Sequence, residues 1–326
     1  MGNKKSKAST SSKSDCKALP THLIPGNNHE ARKDSDPTLE TKESKSDTVT
    51  ELEKKPSRPD PFSTMKIQDM RKEISNLVAE LTAYFEKGPL RIVLCGTTNA
   101  GKSSVVNNIL AAFKGRIVQT ASSGSGGRQV TRKYSEYKMN FKSDNDDQAR
   151  LVVCDTQGID EVAYDKQIEA IKDALSGNYA PNQNMDDTEN TSKTQIRRQA
   201  VYIVFVIDAL QVMSGEENGY NWSKNLKAIQ TFAARELIPA SVFLTKCDLL
   251  DKDISNNITA LYKSDRVDQA TKYVHQTFDI VPRNRIFPLV NYTEQMEPEM
   301  PMMLQTLFAL KYIVSDVESY MADVVR

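Results

Sequence analysis

Residues 91–103 read RIVLCGTTNAGKS. Arg91 to Cys95 have the apolar, β-branched character of a short buried strand. The next eight residues, Gly96-Thr97-Thr98-Asn99-Ala100-Gly101-Lys102-Ser103, satisfy the pattern G-x-x-x-x-G-K-[ST]. A helical period follows at once, with Val105, Val106, Ile109, Leu110 and Phe113 on one face. A strand that turns through glycines into a helix is the context in which this loop wraps a phosphate. The glycines let successive N–H groups turn inward, and the helix N-terminus adds partial positive charge. Lys102 is therefore expected to reach the β- and γ-phosphates and the Ser103 hydroxyl to ligate Mg²⁺. Gly96, Asn99, Ala100, Gly101 and Ser104 are expected to line the same anion site.

Outward from this loop, strand-like runs at 91–95, 133–139, 151–154, 201–207, 241–244 and 285–290 alternate with helical patterns. The helical patterns lie at 103–113, 164–175, 222–234, 265–278 and 300–324. Such alternation predicts an α/β fold: a doubly wound, mainly parallel sheet flanked by helices, the architecture of a P-loop NTPase G domain. Residues 177–195, rich in Asn, Asp, Thr and Ser, read as a surface loop.

Two further motifs stand at strand ends in the order a nucleotide site requires. Leu151-Val152-Val153-Cys154 runs into Asp155-Thr156-Gln157-Gly158, a D-x-x-G turn. Asp155 there suits Mg²⁺ through water, and the Gly158 N–H suits a γ-phosphate. Ser241 to Leu244 then runs into Thr245-Lys246-Cys247-Asp248, a [NT]-K-x-D signature. A carboxylate at Asp248 accepts from the two N–H donors on the Watson–Crick edge of guanine. Adenine lacks that edge and would leave the carboxylate unpaired, so GTP and GDP are the expected ligands. The Lys246 stem can cover the ring plane, and Asn291, after the last strand, is a candidate contact to the base oxygen.

These residues resemble the translation-factor-like GTPases. Three stretches carry a closer resemblance: GRIVQTASSGSGGRQVTRKY (115–134), VVCDTQGIDE (152–161) and IFPLVNYTEQMEP (286–298). They are similar to the interferon-induced protein 44 family of GTP-binding proteins, over about residues 65–325. The resemblance implies a dynamin-like or immunity-associated type of large G domain and a role in innate defence. It also implies an imperfect base-recognition motif, which this chain instead carries intact at Thr245, Lys246 and Asp248.

Hydrolysis is less plainly written. In Ras-like proteins a glutamine after D-x-x-G orients the attacking water; here Ile159 holds that place and Gln157 lies inside the motif. Slow intrinsic turnover is expected, raised by self-association in a nucleotide-dependent homodimer, with a non-hydrolysing scaffold as the alternative. Within the Ser- and Gly-rich segment 120–131, Thr131 is the choice for γ-phosphate and Mg²⁺ sensing, Thr120 its competitor, and Arg128 a candidate for transition-state charge. The expected catalytic set is thus Lys102, Thr131 and Gly158, and the metal set Ser103, Thr131 and Asp155.

The 326 residues carry 43 basic and 43 acidic side chains, for a formal net charge of zero. That balance argues against a globally basic nucleic-acid binder, and no nucleic-acid partner is expected. No apolar run reaches the roughly 18 residues of a membrane-spanning helix, and no N-terminal apolar segment of a secretory signal is present. Of the four cysteines, Cys95, Cys154 and Cys247 end apolar runs and read as reduced, partly buried thiols.

The average conceals a divided chain. Residues 1–60 hold only 11 apolar residues and read as a disordered tail. The chain opens Met1-Gly2-Asn3-Lys4-Lys5-Ser6, matching the N-myristoylation pattern at Gly2. One myristoyl chain binds membranes only marginally, so the five lysines within residues 1–20 supply the second, electrostatic attraction to an anionic surface. The expected location is cytoplasmic with peripheral membrane association, and Cys16 reads as an incidental thiol. Residues 61–88 form an amphipathic helix (Ile67, Met70, Ile74, Leu77, Val78, Leu81, Phe85) packing on or leading into a G domain at 89–326.

Overall fold

A computed structural model describes residues 60–84, 88–117, 121, 132–142, 148–160, 163–186, 198–218, 222–293 and 295–324. All of them lie in Lys54–Arg326, one of the two units into which the chain divides. The other unit ends at Glu53, so the tail expected to be disordered, Cys16 and the Gly2 site lie outside the described residues.

Among the described residues six strands form one sheet: β1 (Leu90–Cys95), β2 (Ser135–Lys142), β3 (Gln148–Asp155), β4 (Tyr202–Asp208), β5 (Ala240–Thr245) and β6 (Ile286–Pro288). Their spatial order is β2-β3-β1-β4-β5-β6. Every neighbouring pair is parallel except β2 and β3, which run antiparallel. Strands β1, β4 and β5 are buried along every residue, which is why each reads as an unbroken apolar run. Alternate side chains feed two cores: Leu90, Ile92 and Leu94 face one side, Val93 and Cys95 the other.

The helices are α1 (Pro61–Thr64), α2 (Ile67–Tyr84), α3 (Lys102–Lys114), α4 (Tyr164–Leu175), α5 (Ala209–Asn218), α6 (Lys227–Arg235), α7 (Lys252–Asn256), α8 (Asp265–Thr277) and α9 (Met300–Val324). One face is covered by α2, α3 and α9 through Ile74, Val78, Val105, Ile109, Leu307 and Phe308. The other is covered by α4, α6 and α8 through Ile168, Ile171, Ile229 and Val274. Full burial of each such aliphatic side chain is worth about 1.5–3 kcal/mol. The C-terminal helix is also tied to the sheet by polar contacts: Arg285 pairs with Asp316, and the Tyr202 hydroxyl donates to Asp316 at 2.8 Å.

Several boundaries differ from the sequence expectation. The run at 133–139 becomes a strand from Ser135 to Lys142, and that at 285–290 shortens to three residues. The helix expected from residue 222 begins at Lys227, behind a 3-10 turn at Lys224–Leu226. Helices α5 and α7 had no counterpart. Helix α5 starts because Asp208 Oδ1 accepts from the Leu210 N–H at 2.9 Å, and Val212 and Met213 are buried beneath it. Its Ser214 and Gly215 had hidden the period. The loop expected at 177–195 is partly pinned: the Asn182 N–H donates to Tyr134 O at 2.7 Å, the Tyr134 N–H donates to Gln183 O at 2.8 Å, and Met185 is buried. The strand-end cysteines are wholly rather than partly buried, and burial pushes the Cys95 and Cys154 thiols up to about 12.

Candidate functional site

Every motif residue within the described chain lies at the C-terminal ends of β1, β3, β4, β5 and β6, the edge where parallel α/β sheets bind ligands. Between β1 and α3 the backbone turns tightly, with Asn99 and Gly101 both in the left-handed region at φ 64° and 93°. Such alternation points neighbouring N–H groups into one concavity, and only glycine takes the larger angle without strain. Lys102, the first residue of α3, is buried. Its Nζ donates to the carbonyls of Gly96 at 3.1 Å and Thr97 at 3.0 Å. Burial lowers its pKa, and the nearby Asp155 charge opposes that shift.

Asp155, at the end of β3, accepts from Ser103 Oγ at 2.7 Å through Oδ2. Its Oδ1 is buried and has no hydrogen-bond partner among the described residues. Burial raises this carboxyl's pKa, with Lys102 and the Ser103 hydroxyl opposing. A hydroxyl and a carboxylate side by side, with one carboxylate oxygen uncompensated, fit Mg²⁺, which takes few protein oxygens and keeps water and phosphate for the rest. Ser103 and Asp155 are the residues that would hold it. Among the described residues no group of three or more His, Cys, Asp or Glu gathers into a metal site of its own.

The D-x-x-G turn lies directly on the phosphate loop. Ile159 N–H donates to Gly96 O at 3.1 Å, and Thr98 N–H donates to Ile159 O at 3.0 Å. Gly158 passes so close to Thr98 that a Cβ there would sit 2.6 Å from the Thr98 Cα, which only glycine permits. The Ile159 side chain is 1% exposed within the hydrophobic core. Gln157 is equally buried, with its backbone N–H on Met185 Sδ, so neither faces an open nucleotide rim.

On the base side, Thr245 Oγ1 donates to Ala100 O at 2.7 Å and lies 3.1 Å from Ile207 O, tying β5 to the phosphate loop and β4. Lys246 adopts the left-handed conformation (φ 59°), and its Nζ pairs with Asp208 Oδ2 at 2.6 Å. Asp248 is half-buried. Desolvation raises its pKa, while its own backbone N–H and Lys246 oppose the shift. Asn291 Oδ1 accepts from Asn108 Nδ2 at 3.0 Å.

The structure thus gathers Gly96, Asn99, Ala100, Gly101, Lys102, Ser103, Asp155, Gly158, Thr245, Lys246, Asp248 and Asn291 along one edge, with Ser104 in the first turn of α3. Thr120, Arg128 and Thr131 lie outside the described residues. Three supporting residues were not anticipated. Asp208 anchors Lys246. Asn108 binds Val290 O, Asn291 and the Tyr292 N–H, and Gln305 of α9 bonds both the N–H and the carbonyl of Val290. Asn108 left a trace in the sequence, as a polar residue on an apolar helix face. Gln305 left none, because its partner lies 15 positions away across a turn.

The strand order, phosphate loop and motif order define a P-loop GTPase fold, and residues 91–246 match the family described as 50S ribosome-binding GTPase. The chain therefore carries a GTP-binding G domain. Its curated relatives are of the interferon-induced protein 44 type, as the sequence resemblance implied. It is 27% identical over 262 residues to interferon-induced protein 44 of Mus musculus, covering 76% of this chain and 60% of that one. It is 23% identical over 274 residues to interferon-induced protein 44-like of Homo sapiens, covering 79% and 59%. The chain thus spans about three fifths of the length of the curated relatives it matches. Among solved structures it is similar to a dimerization-deficient mutant of Toc33 from Arabidopsis thaliana, at 13% identity and TM-score 0.44, covering 76% of this chain and 93% of that one.

Proposed function

We propose that this protein is a slow, Mg²⁺-dependent GTPase whose nucleotide state controls self-assembly or partner binding. The observation that carries the slow rate is Ile159. The residue in the place of a water-orienting glutamine is an aliphatic side chain buried in the core, its backbone bonded to the phosphate loop. Ground-state binding does not depend on it. Lys102 and the loop N–H groups would bind the β- and γ-phosphates, and Ser103 and Asp155 would hold Mg²⁺. Thr245 would brace the loop, while Asp248, Lys246 and Asn291 would select guanine. Bound Mg²⁺ supplies charge neutralisation of the phosphates. The chain's own contribution to turnover is then mainly electrostatic, from Lys102 and the Gly158 N–H.

The same buried isoleucine favours a second reading, a GTP-binding scaffold with negligible turnover. Single-turnover assays with Mg²⁺ separate the two, and phosphate release over hours supports the enzyme. A rate that rises with protein concentration supports activation in a homodimer, and a rate independent of dilution refutes it.

The membrane reading rests on the sequence pattern at Gly2 and the lysines that follow. It makes the protein a cytoplasmic one held at anionic membranes by myristate and charge. No described helix is long and apolar enough to cross a membrane. Unchanged membrane partitioning of Gly2→Ala would exclude a myristate tether. A role in innate immunity is supported by the relatives' names, and induction of the transcript by interferon is its first test.

A further inference from the structure

Around the place where a terminal phosphate would lie, most polar side chains are already engaged. Lys102 is held by two loop carbonyls, Ser103 by Asp155, and Thr97 Oγ1 is 3.3 Å from the carboxamide oxygen of Gln211. Thr98 is different. Its Oγ1 is buried and has no hydrogen-bond partner among the described residues, although a hydroxyl offers one donor and two acceptor sites. An unpartnered buried hydroxyl costs stability, and its persistence needs a reason.

The location of this hydroxyl supplies one. Thr98 is in the phosphate loop, yet its N–H bonds Ile159 O in the D-x-x-G turn. A Cβ added at Gly158 would meet this oxygen at 2.6 Å. It therefore stands where the phosphate loop and the D-x-x-G turn converge, against Gly158. The residue that would ordinarily orient water there, Ile159, is turned into the core.

We infer that Thr98 is a catalytic residue, its Oγ1 accepting a hydrogen bond from the water that attacks the γ-phosphate of GTP. This rests on the GTPase reading above. In the step it serves, the water oxygen forms a bond to the γ-phosphorus as the bond from that phosphorus to the β-γ bridging oxygen breaks. The bonding pair leaves with GDP, and the water's proton ends on the released phosphate. The hydroxyl transfers no proton; it orients the water, as the missing glutamine would.

The test compares Thr98→Val, which exchanges the hydroxyl for a methyl of the same shape, with Thr98→Ser, which keeps it. Single-turnover hydrolysis of GTP with Mg²⁺, GDP affinity and thermal midpoint without nucleotide are read for each full-length chain. Thr98→Val is expected to slow turnover by about tenfold or more, with GDP affinity within about threefold of the parent and a thermal midpoint at or above it. Thr98→Ser is expected to turn over within about threefold of the parent. A valine variant that hydrolyses at the parent rate overturns the assignment, as does one that loses GDP affinity and rate together. A parent chain that binds GTP but releases no phosphate overturns the assignment and favours the scaffold. A parent that fails to bind guanine nucleotide refutes the underlying reading itself.

Discussion

The two halves of the nucleotide edge are built differently. On the base side the described polar groups are largely paired within the protein: Lys246 with Asp208, Asn291 with Asn108, Thr245 with Ala100, and Val290 with Gln305. On the phosphate side, Asp155 Oδ1 and Thr98 Oγ1 are buried without partners among the described residues, and burial works against the charged forms of both Lys102 and Asp155. The base side is a rigid template whose shape does not await a ligand. The phosphate side holds charge and hydrogen-bonding capacity that the protein alone does not satisfy, so a polyanion with its cation has most to gain there. Affinity should therefore reside on one side and selectivity on the other.

Lys102→Ala offers the largest way to break this comparison. It removes the buried Lys102 ammonium, and GTP and GDP affinity should fall about 100-fold or more by calorimetry. The guanine-over-adenine preference of whatever binding remains should be unchanged. A loss of only a few fold would show that the loop N–H groups alone carry affinity.

Asp248→Asn should do the reverse. It weakens GTP binding about 10–100-fold, because a carboxamide cannot accept from both N–H donors of guanine. It should simultaneously favour xanthosine triphosphate, whose 2-carbonyl accepts from the new amide N–H. Competition binding reads both effects, and an unaltered base preference would remove Asp248 from the selectivity role.

The smallest and most informative change is Asp155→Asn. The folded carboxyl titrates above its ordinary value because it is buried. Its contribution to stability is therefore present below the ordinary carboxylate pKa and lost as pH rises through the folded value. At neutral pH the buried charge is a cost. Without nucleotide and Mg²⁺ the variant should melt about 2–4 °C higher at pH 7. This gain should shrink as pH falls into the carboxylate range, and the further stabilisation given by GTP with Mg²⁺ should be reduced. A lower melting temperature at pH 7 would mean that the Lys102 and Ser103 interactions outweigh burial.

Much of this protein was legible along the chain because the relevant signals are local. A P-loop needs its glycines, lysine and hydroxyl at fixed spacing, and D-x-x-G and T-K-x-D each complete their chemistry within one turn. Fully buried parallel strands announce themselves as apolar runs, so β1, β4 and β5 were readable, as was the buried Leu151–Cys154 part of β3. The antiparallel direction of β2 was not, since alternation of side chains is the same in either direction. Nor were α5 and α7, short helices whose stability comes from a cap and from packing rather than from a long period.

What the sequence by itself determined is the fold class and the order and residue make-up of the three motifs, since each depends on neighbours within a few positions. What only the tertiary structure decided is which groups hold those in place and which are left over. Asp208 reaches Lys246 from another strand end. Asn108 and Gln305 clamp the Asn291 loop from two helices, and Thr98 meets Gly158 across 60 positions. These pairings exist because the sheet brings distant strand ends to one edge. Burial then sets which polar atoms find partners and which, like Thr98 Oγ1, remain without one among the described residues.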